Sequence, residues 1–295
     1  MTAVKQIAGI PRRSITRVED RVHLGPDSQV DDRYGLILPT NPAATDPFLL
    51  LAEDWFSKTG FEWHPHRGLE TVTLVLDGVL EHGDNLGNAG ALQGGDVQWM
   101  TAGRGILHRE LAYRNERAHV MQLWVNLPGK MKMVDTGYQD LRAGTRPVID
   151  RDGVRIDLLS GTVDGVAGSA SNHHPIHGSI VTLEPNRRLD LELPAEDRAF
   201  LHVLTGEVIA GGRAIRAGET GWSDPVEGTG ASVIDLATGD GDRRSVVMVY
   251  SGRPIGEPVV MGGPFVMNSK AEIAQAFADF RTGKFGQIPR QARLG

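Results

Sequence analysis

The 295-residue sequence predicts an all-β protein: two antiparallel β domains of similar plan, finished by one C-terminal helix. Three observations predict it. Short apolar runs with period-two alternation are punctuated by Gly, Asn and Asp turn signals. Two of these runs recur in the second half with the same glycine and tryptophan landmarks. One segment alone, near the end, carries convincing helical spacing.

The first domain reads as strands and turns in order. Val72, Leu74 and Leu76 alternate with Thr71 and Thr73, and Asp77-Gly78 reads as a hairpin-type turn before Val79–His82. Asn85-Leu86-Gly87-Asn88 and Gly94-Gly95 are further turns. Asp96–Met100, His108–Tyr113 and His119–Leu127 follow as strands, the last apolar enough to be buried. So many short strands suggest a sandwich or a barrel.

The second domain echoes the first. Leu74-Val75-Leu76-Asp77-Gly78 resembles His202-Val203-Leu204-Thr205-Gly206, and Gly95-Asp96-Val97-Gln98-Trp99 resembles Gly218-Glu219-Thr220-Gly221-Trp222. The boundary falls between Met133 and Pro147, dividing the chain into 1–138 and 139–295. Near the end, Ser269 and Glu272 form a capping box. Ile273, Ala276, Phe277 and Phe280 then recur at helical spacing, and Gly283 supplies the stop.

Composition narrows the function. A net charge of −6 with no Lys/Arg run gives no footprint for direct nucleic-acid or membrane binding. The absence of cysteine excludes disulfides, zinc–thiolate sites, iron–sulfur clusters and a thiol nucleophile. Lys5, Arg12, Arg13 and Arg17 precede no apolar signal region, and no apolar run reaches the ~18–20 residues of a span, so the cytoplasm is the expected location. There is no phosphate-binding Gly-x-x-x-x-Gly-Lys loop, no Gly-x-Ser-x-Gly and no His-Glu-x-x-His. Asp96 and Glu62 lack an evident partner for paired-carboxylate chemistry.

One constellation carries chemistry. His64-Pro65-His66 is followed, 42 residues after His66, by His108-Arg109-Glu110. Residues two apart on a strand share a face, so two strands can aim three imidazoles and a carboxylate at one point. That donor set suits a non-haem transition metal. If one strand runs through, His64, His66 and Glu70 share the face of Val72, Leu74 and Leu76, and the donors look inward. Glu70 and Glu110 compete as the carboxylate ligand. Glu110, the closer companion of a histidine, is chosen, leaving Glu70 to orient an imidazole N–H.

The other histidines weigh less. His82 faces the pocket on one reading and is a structural hydrogen-bonding residue on the other. His119 shares parity with Met121, Leu123 and Val125 and reads as a core histidine, whereas His173, His174 and His177 read as a surface loop. His23 and His202 have no partner that the sequence names. Counting along the second copy places Glu192, Pro194 and Ala231 where the histidines stand in the first, so the second domain is expected to hold no metal.

Phe61-Glu62-Trp63-His64-Pro65-His66-Arg67-Gly68-Leu69-Glu70-Thr71-Val72-Thr73 resembles the first motif of the pirin family of cupins. Gly95-Asp96-Val97-Gln98-Trp99-Met100-Thr101-Ala102-Gly103 through His108-Arg109-Glu110 resembles its second, and Gly256 to Asn268 also matches. The resemblance covers most of the chain and is weakest from Arg142 to Arg213. It implies a bicupin, two antiparallel β-barrels with metal in the first, held by His64, His66, His108 and Glu110. Relative to general cupin motifs there is one extra residue between Glu70 and Gly78 and a wider Gly103-to-His108 spacing; pirins share both, which favours Glu110 over Glu70.

Iron, as Fe(II), is the metal the resemblance implies; manganese, cobalt, nickel, copper and zinc also suit the donors. Bacterial pirins resemble quercetin 2,3-dioxygenases, which open a flavonol ring with O2 and release carbon monoxide. The implied catalytic residue is Glu110, accepting the proton of the flavonol hydroxyl, with Val72, Leu74 and Leu76 enclosing the substrate. The alternative is an iron-dependent, redox-sensitive regulator that binds a transcription factor or metabolic enzyme without turnover. A closed structural metal site is the third reading.

Overall fold

The computed structural model describes residues 9–57, 60–241 and 243–289. Strands account for 54% and helices for 8% of the described residues. Its residues, as far as they are described, form two compact units: Val22–Gly144 with Ile255–Gly295, and Met1–Arg21 with Thr145–Pro254. That differs from a single cut between 138 and 139, because the chain ends are exchanged. The strand Arg17–Asp20 pairs with Glu219–Ser223, a long-range pairing that no local pattern announces. No helix among the described residues is long and apolar enough to cross a membrane.

The histidine-bearing unit is built around one long strand, Leu69–Asp84. Its first half pairs with Val97–Thr101 and Ala118–Asn126, and its second with Ala89–Gln93 and Ile106–Ala112. The strand thus belongs to two sheets. Val75, Phe56 and Val120 from one pack against Leu80, Leu92 and Ala112 from the other in a single buried cluster. Asp77-Gly78 is not a hairpin turn. The chain continues as strand through a bulge that shifts register between His119 and Val120. Gly78 takes φ +79°, and a Cβ there would collide with the Arg117 carbonyl.

In the second unit a seven-stranded sheet packs on a four-stranded one. Leu201, Val203, Val247 and Val249 from the first interlock with Leu189, Leu191, Val208 and Ile234 from the second. The internal repeat is present in backbone terms. Gly206 and Gly218 have φ of +78° and +90°, matching +79° at Gly78 and +91° at Gly95. Trp99 lies opposite Val72 and Trp222 opposite Phe200, each partner six residues before its bulge glycine, and both indoles are fully buried.

The C-terminal helix spans Lys270–Arg281. Ser269 Oγ accepts from Glu272 N at 3.3 Å, and Glu272 Oε2 accepts from Asn268 N at 3.1 Å, a reciprocal cap. Ala276, with Ile273 and Phe277, packs on Leu107, Phe265 and Phe285. Phe280, expected on the buried face, is 38% exposed, while Asp279 is buried and paired with Arg67 and Lys284.

Candidate metal centre

His64 and His66 lie on the strand Gly60–His66; His108 and Glu110 lie on its antiparallel neighbour Ile106–Ala112. His64 stands directly opposite His108. The three rings converge, with centroids 4.3 Å (His64–His108), 4.9 Å (His64–His66) and 5.1 Å (His66–His108) apart. One nitrogen from each falls within 4.8 Å of the others, and among the described residues this is the one group of three or more potential metal ligands.

Hydrogen bonds decide which nitrogen is presented. His64 Nδ1 donates to the Glu62 carbonyl at 2.7 Å and His66 Nδ1 to the Pro264 carbonyl at 3.2 Å. The proton therefore sits on Nδ1 in both, leaving Nε2 with a lone pair. His66 Nε2 and His108 Nε2 are buried without a partner. Buried polar atoms without partners are rare and costly. Burial lowers His64, His66 (to about 3) and His108 (well below its usual value), with mutual repulsion adding to the effect at the latter two. All three imidazoles are neutral at ordinary pH, the state a metal requires.

Glu110 shares the face of His108 but its carboxylate is turned toward Gln122 and Thr73. Gln122 Nε2 donates to it at 2.7 Å and Thr73 Oγ1 at 3.1 Å. The Gln122 amide cannot turn round, because its oxygen accepts from Trp124 Nε1 at 3.1 Å. Burial pushes the Glu110 carboxyl up to about 7, partly opposed by those two hydrogen bonds. The Trp124 and His66 ring centroids are 5.1 Å apart with planes at 84°, and those of Phe61 and His64 are 6.1 Å apart.

Two sequence expectations need correcting. Glu70 does not orient an imidazole: its oxygens accept from Trp99 Nε1 at 3.0 Å and Thr101 Oγ1 at 2.7 Å, on the strand face opposite Thr73. Nor do Val72, Leu74 and Leu76 line the site. The strand breaks at Arg67-Gly68, where Gly68 has φ +79°, so parity does not carry from His66 to Glu70. The site faces Thr73 instead. Gln122 was missed too, although a lone amide inside an apolar strand is a signal that sequence carries.

Four of the remaining histidines are held by other groups, whereas His177 lies on the strand Ile176–Leu183 rather than in a surface loop. His119 is half-buried rather than core, bound to Glu53 at 2.9 Å and stacked on Trp55. His202 meets Thr220 at 3.0 Å, His174 the Arg253 carbonyl and His23 Asp32, both at 2.6 Å.

Strand register also replaces the linear count in the second unit. Leu191 opposes Ile234 as His64 opposes His108, and Leu193 opposes Ser232 as His66 opposes Ile106. Ala210 opposes Leu236 as His82 opposes Glu110, placing Leu236 at the Glu110 position. Leu201 and Val249 likewise stand where Thr73 and Gln122 stand. The four donor positions are aliphatic and buried, with no lone pair to offer. Glu192, Pro194 and Ala231 are not the equivalents.

Two β units, one of them carrying a convergent imidazole cluster, define a cupin. The chain belongs to the pirin family: residues 33–125 match the pirin family model and 180–286 the pirin C-terminal cupin domain. It is 38% identical to human pirin over 243 residues, covering 82% of this chain and 83% of that protein. Among solved structures it is similar to GK1651 from Geobacillus kaustophilus, with 34% identity, TM-score 0.80, and coverage of 85% of this chain and 100% of that one. It is also similar to a quercetin 2,3-dioxygenase from Acinetobacter baumannii, with 31% identity, TM-score 0.83, and coverage of 94% and 100%.

Proposed function

We propose that this chain is a metal-dependent oxygenase of the quercetin 2,3-dioxygenase type, with a flavonol and O2 as substrates. The metal, on this reading Fe(II), is held by His64, His66, His108 and Glu110 within the first of two cupin barrels. The observation that carries it is the pair of buried, unpartnered Nε2 atoms of His66 and His108 beside His64. The likeness to the Acinetobacter dioxygenase across 94% of this chain supports the reaction class. When bound, the metal supplies a Lewis acid that polarises the substrate hydroxyl.

The protein's own groups do the rest. Glu110 is the group placed to accept the hydroxyl proton, and Gln122 and Thr73 keep its carboxylate in place. Phe61 and Trp124, both partly exposed beside the histidines, offer aromatic faces to a planar ligand.

The test is anaerobic loading with Fe(II), Mn, Co, Ni or Cu, followed by quercetin and oxygen. Flavonol loss with carbon monoxide release is expected. No turnover with any metal sinks the oxygenase and leaves the redox-sensitive regulator. His64→Ala and His108→Ala should each abolish stoichiometric metal; retained metal would mean a different ligand set.

A further inference from the structure

Behind Glu110 lie two donors that the metal site does not use. His82 stands directly opposite Glu110 on the neighbouring strand, and Gln98 directly opposite Thr73. Such pairs share a face with Cβ atoms about 5 Å apart. The His82 side chain is 5% exposed. Gly90, opposite it on the other side, leaves room for the ring: a Cβ there would meet Nε2 at 2.7 Å.

The proton on His82 can be placed. Gln98 Nε2 is 2.9 Å from Asp140 Oδ1 and 2.9 Å from His82 Nε2. A carboxylate only accepts, so the Gln98 amide N–H groups point at both. His82 Nε2 must then accept and Nδ1 carry the hydrogen. That Nδ1 is buried with no partner. Tyr138 stacks on the same ring, centroids 5.8 Å apart and planes at 27°, and its buried hydroxyl lies against the Asp84 carboxylate. Burial, with Asp84 and Glu110 nearby, pushes the Tyr138 hydroxyl far above its usual value, so it stays a donor.

We propose that His82 and Tyr138 form a second anchoring point of this site, binding a ring oxygen of a polyhydroxylated aromatic ligand whose first oxygen sits at the histidines. The inference rests on the flavonol reading and extends it. It explains why the His82 Nδ1 hydrogen remains unsatisfied on an inward face. It also makes the number of hydroxyls on the ligand a determinant of affinity.

The experiment titrates zinc-loaded protein, which is redox-inert, with galangin and with 3-hydroxyflavone, which share a core and differ in two ring hydroxyls. Tyr138→Phe keeps the stacked ring and removes one oxygen. It should weaken galangin roughly tenfold, the size of one hydrogen bond, and leave 3-hydroxyflavone unchanged. His82→Phe should show the same selectivity. Equal losses for both ligands, or none, overturn the anchoring point and leave the flavonol reading standing. If neither flavonol binds the wild-type zinc protein, both fall.

Discussion

His66 donates its Nδ1 hydrogen to the carbonyl of Pro264, 198 residues further along the chain. The segment that carries Pro264 is bolted by several contacts to the Arg67-Gly68 turn that follows His66. Phe265 forms a parallel bridge with Arg67, and Lys132 Nζ donates to the carbonyls of Gly68 and Val266. Arg67 in turn pairs with Asp279 at 2.9 Å and lies over the Phe285 ring. The orientation of one imidazole in the cluster therefore depends on the C-terminal segment.

Phe265→Ala should reveal that dependence. Phe265 is fully buried against Leu107 and Phe285, so truncation should cost about 3–5 kcal/mol. Loosening Pro264 should also weaken metal affinity by about 10–100-fold. Phe277→Ala, on the helix and only partly buried, should lower stability without moving the affinity. Competition with a chelator measures both; unchanged affinity in Phe265→Ala would show that the carbonyl does not position His66.

Glu110 should leave a signature in metal-free protein. A carboxyl held at about 7 when folded, against an ordinary 4.5, binds its proton more tightly in the native state. Its contribution favours the fold below about pH 4.5 and is lost as pH rises through about 7. Wild type should therefore lose stability relative to Glu110→Gln across that window, by up to a few kcal/mol. The buried histidines, shifted the other way, act alike in both proteins and cancel in the difference. Denaturation curves at pH 5 and 8 that stay parallel would show that Glu110 is ionised throughout.

Glu70→Gln should separate the two carboxylates. Glu70 is fully buried and receives the Trp99 and Thr101 hydrogens, so weakening those charge-assisted bonds should cost about 1–3 kcal/mol. Metal content should not change. Loss of metal in a folded variant would return Glu70 to the site.

The paired bulges should respond unequally to a methyl group. Gly78→Ala puts a Cβ against the Arg117 carbonyl, which is backbone and cannot give way, on top of the left-handed φ. Gly206→Ala first meets the Ser245 hydroxyl, a side chain that can turn. Both should destabilise, Gly78→Ala by more, in thermal melts. The reverse order would mean that the two bulges are not equivalent.

Much of the molecule was legible in advance where the signal is local. His64-x-His66 and His108-x-Glu110 each lie within one strand, and the two-residue period puts each pair on one face without reference to anything else. The Ser269–Glu272 box and the Ile273, Ala276 and Phe277 stripe are equally local. Glu70 was misread because its parity argument needed an unbroken strand, and the turn at Arg67-Gly68 reverses which residues look inward. Counting along the chain misaligns the second copy because its spacings are longer: His64 lies 14 residues before Gly78 but Leu191 lies 15 before Gly206, and only strand register matches Leu191 to His64.

By itself, then, the sequence determined the β-rich plan, the C-terminal helix and the two donor pairs, since these follow from strand period and helix capping, whereas Gly78, legible as a turn, proved to be a bulge within one strand. Only the tertiary structure decided what those pairs meet. Pro264 sets the tautomer of His66, Gln122 locked by Trp124 holds Glu110, and Thr73 rather than Glu70 faces the site. Each is a contact between segments whose pairing depends on inter-strand register, and register is settled by the packing of two sheets, not by any one strand.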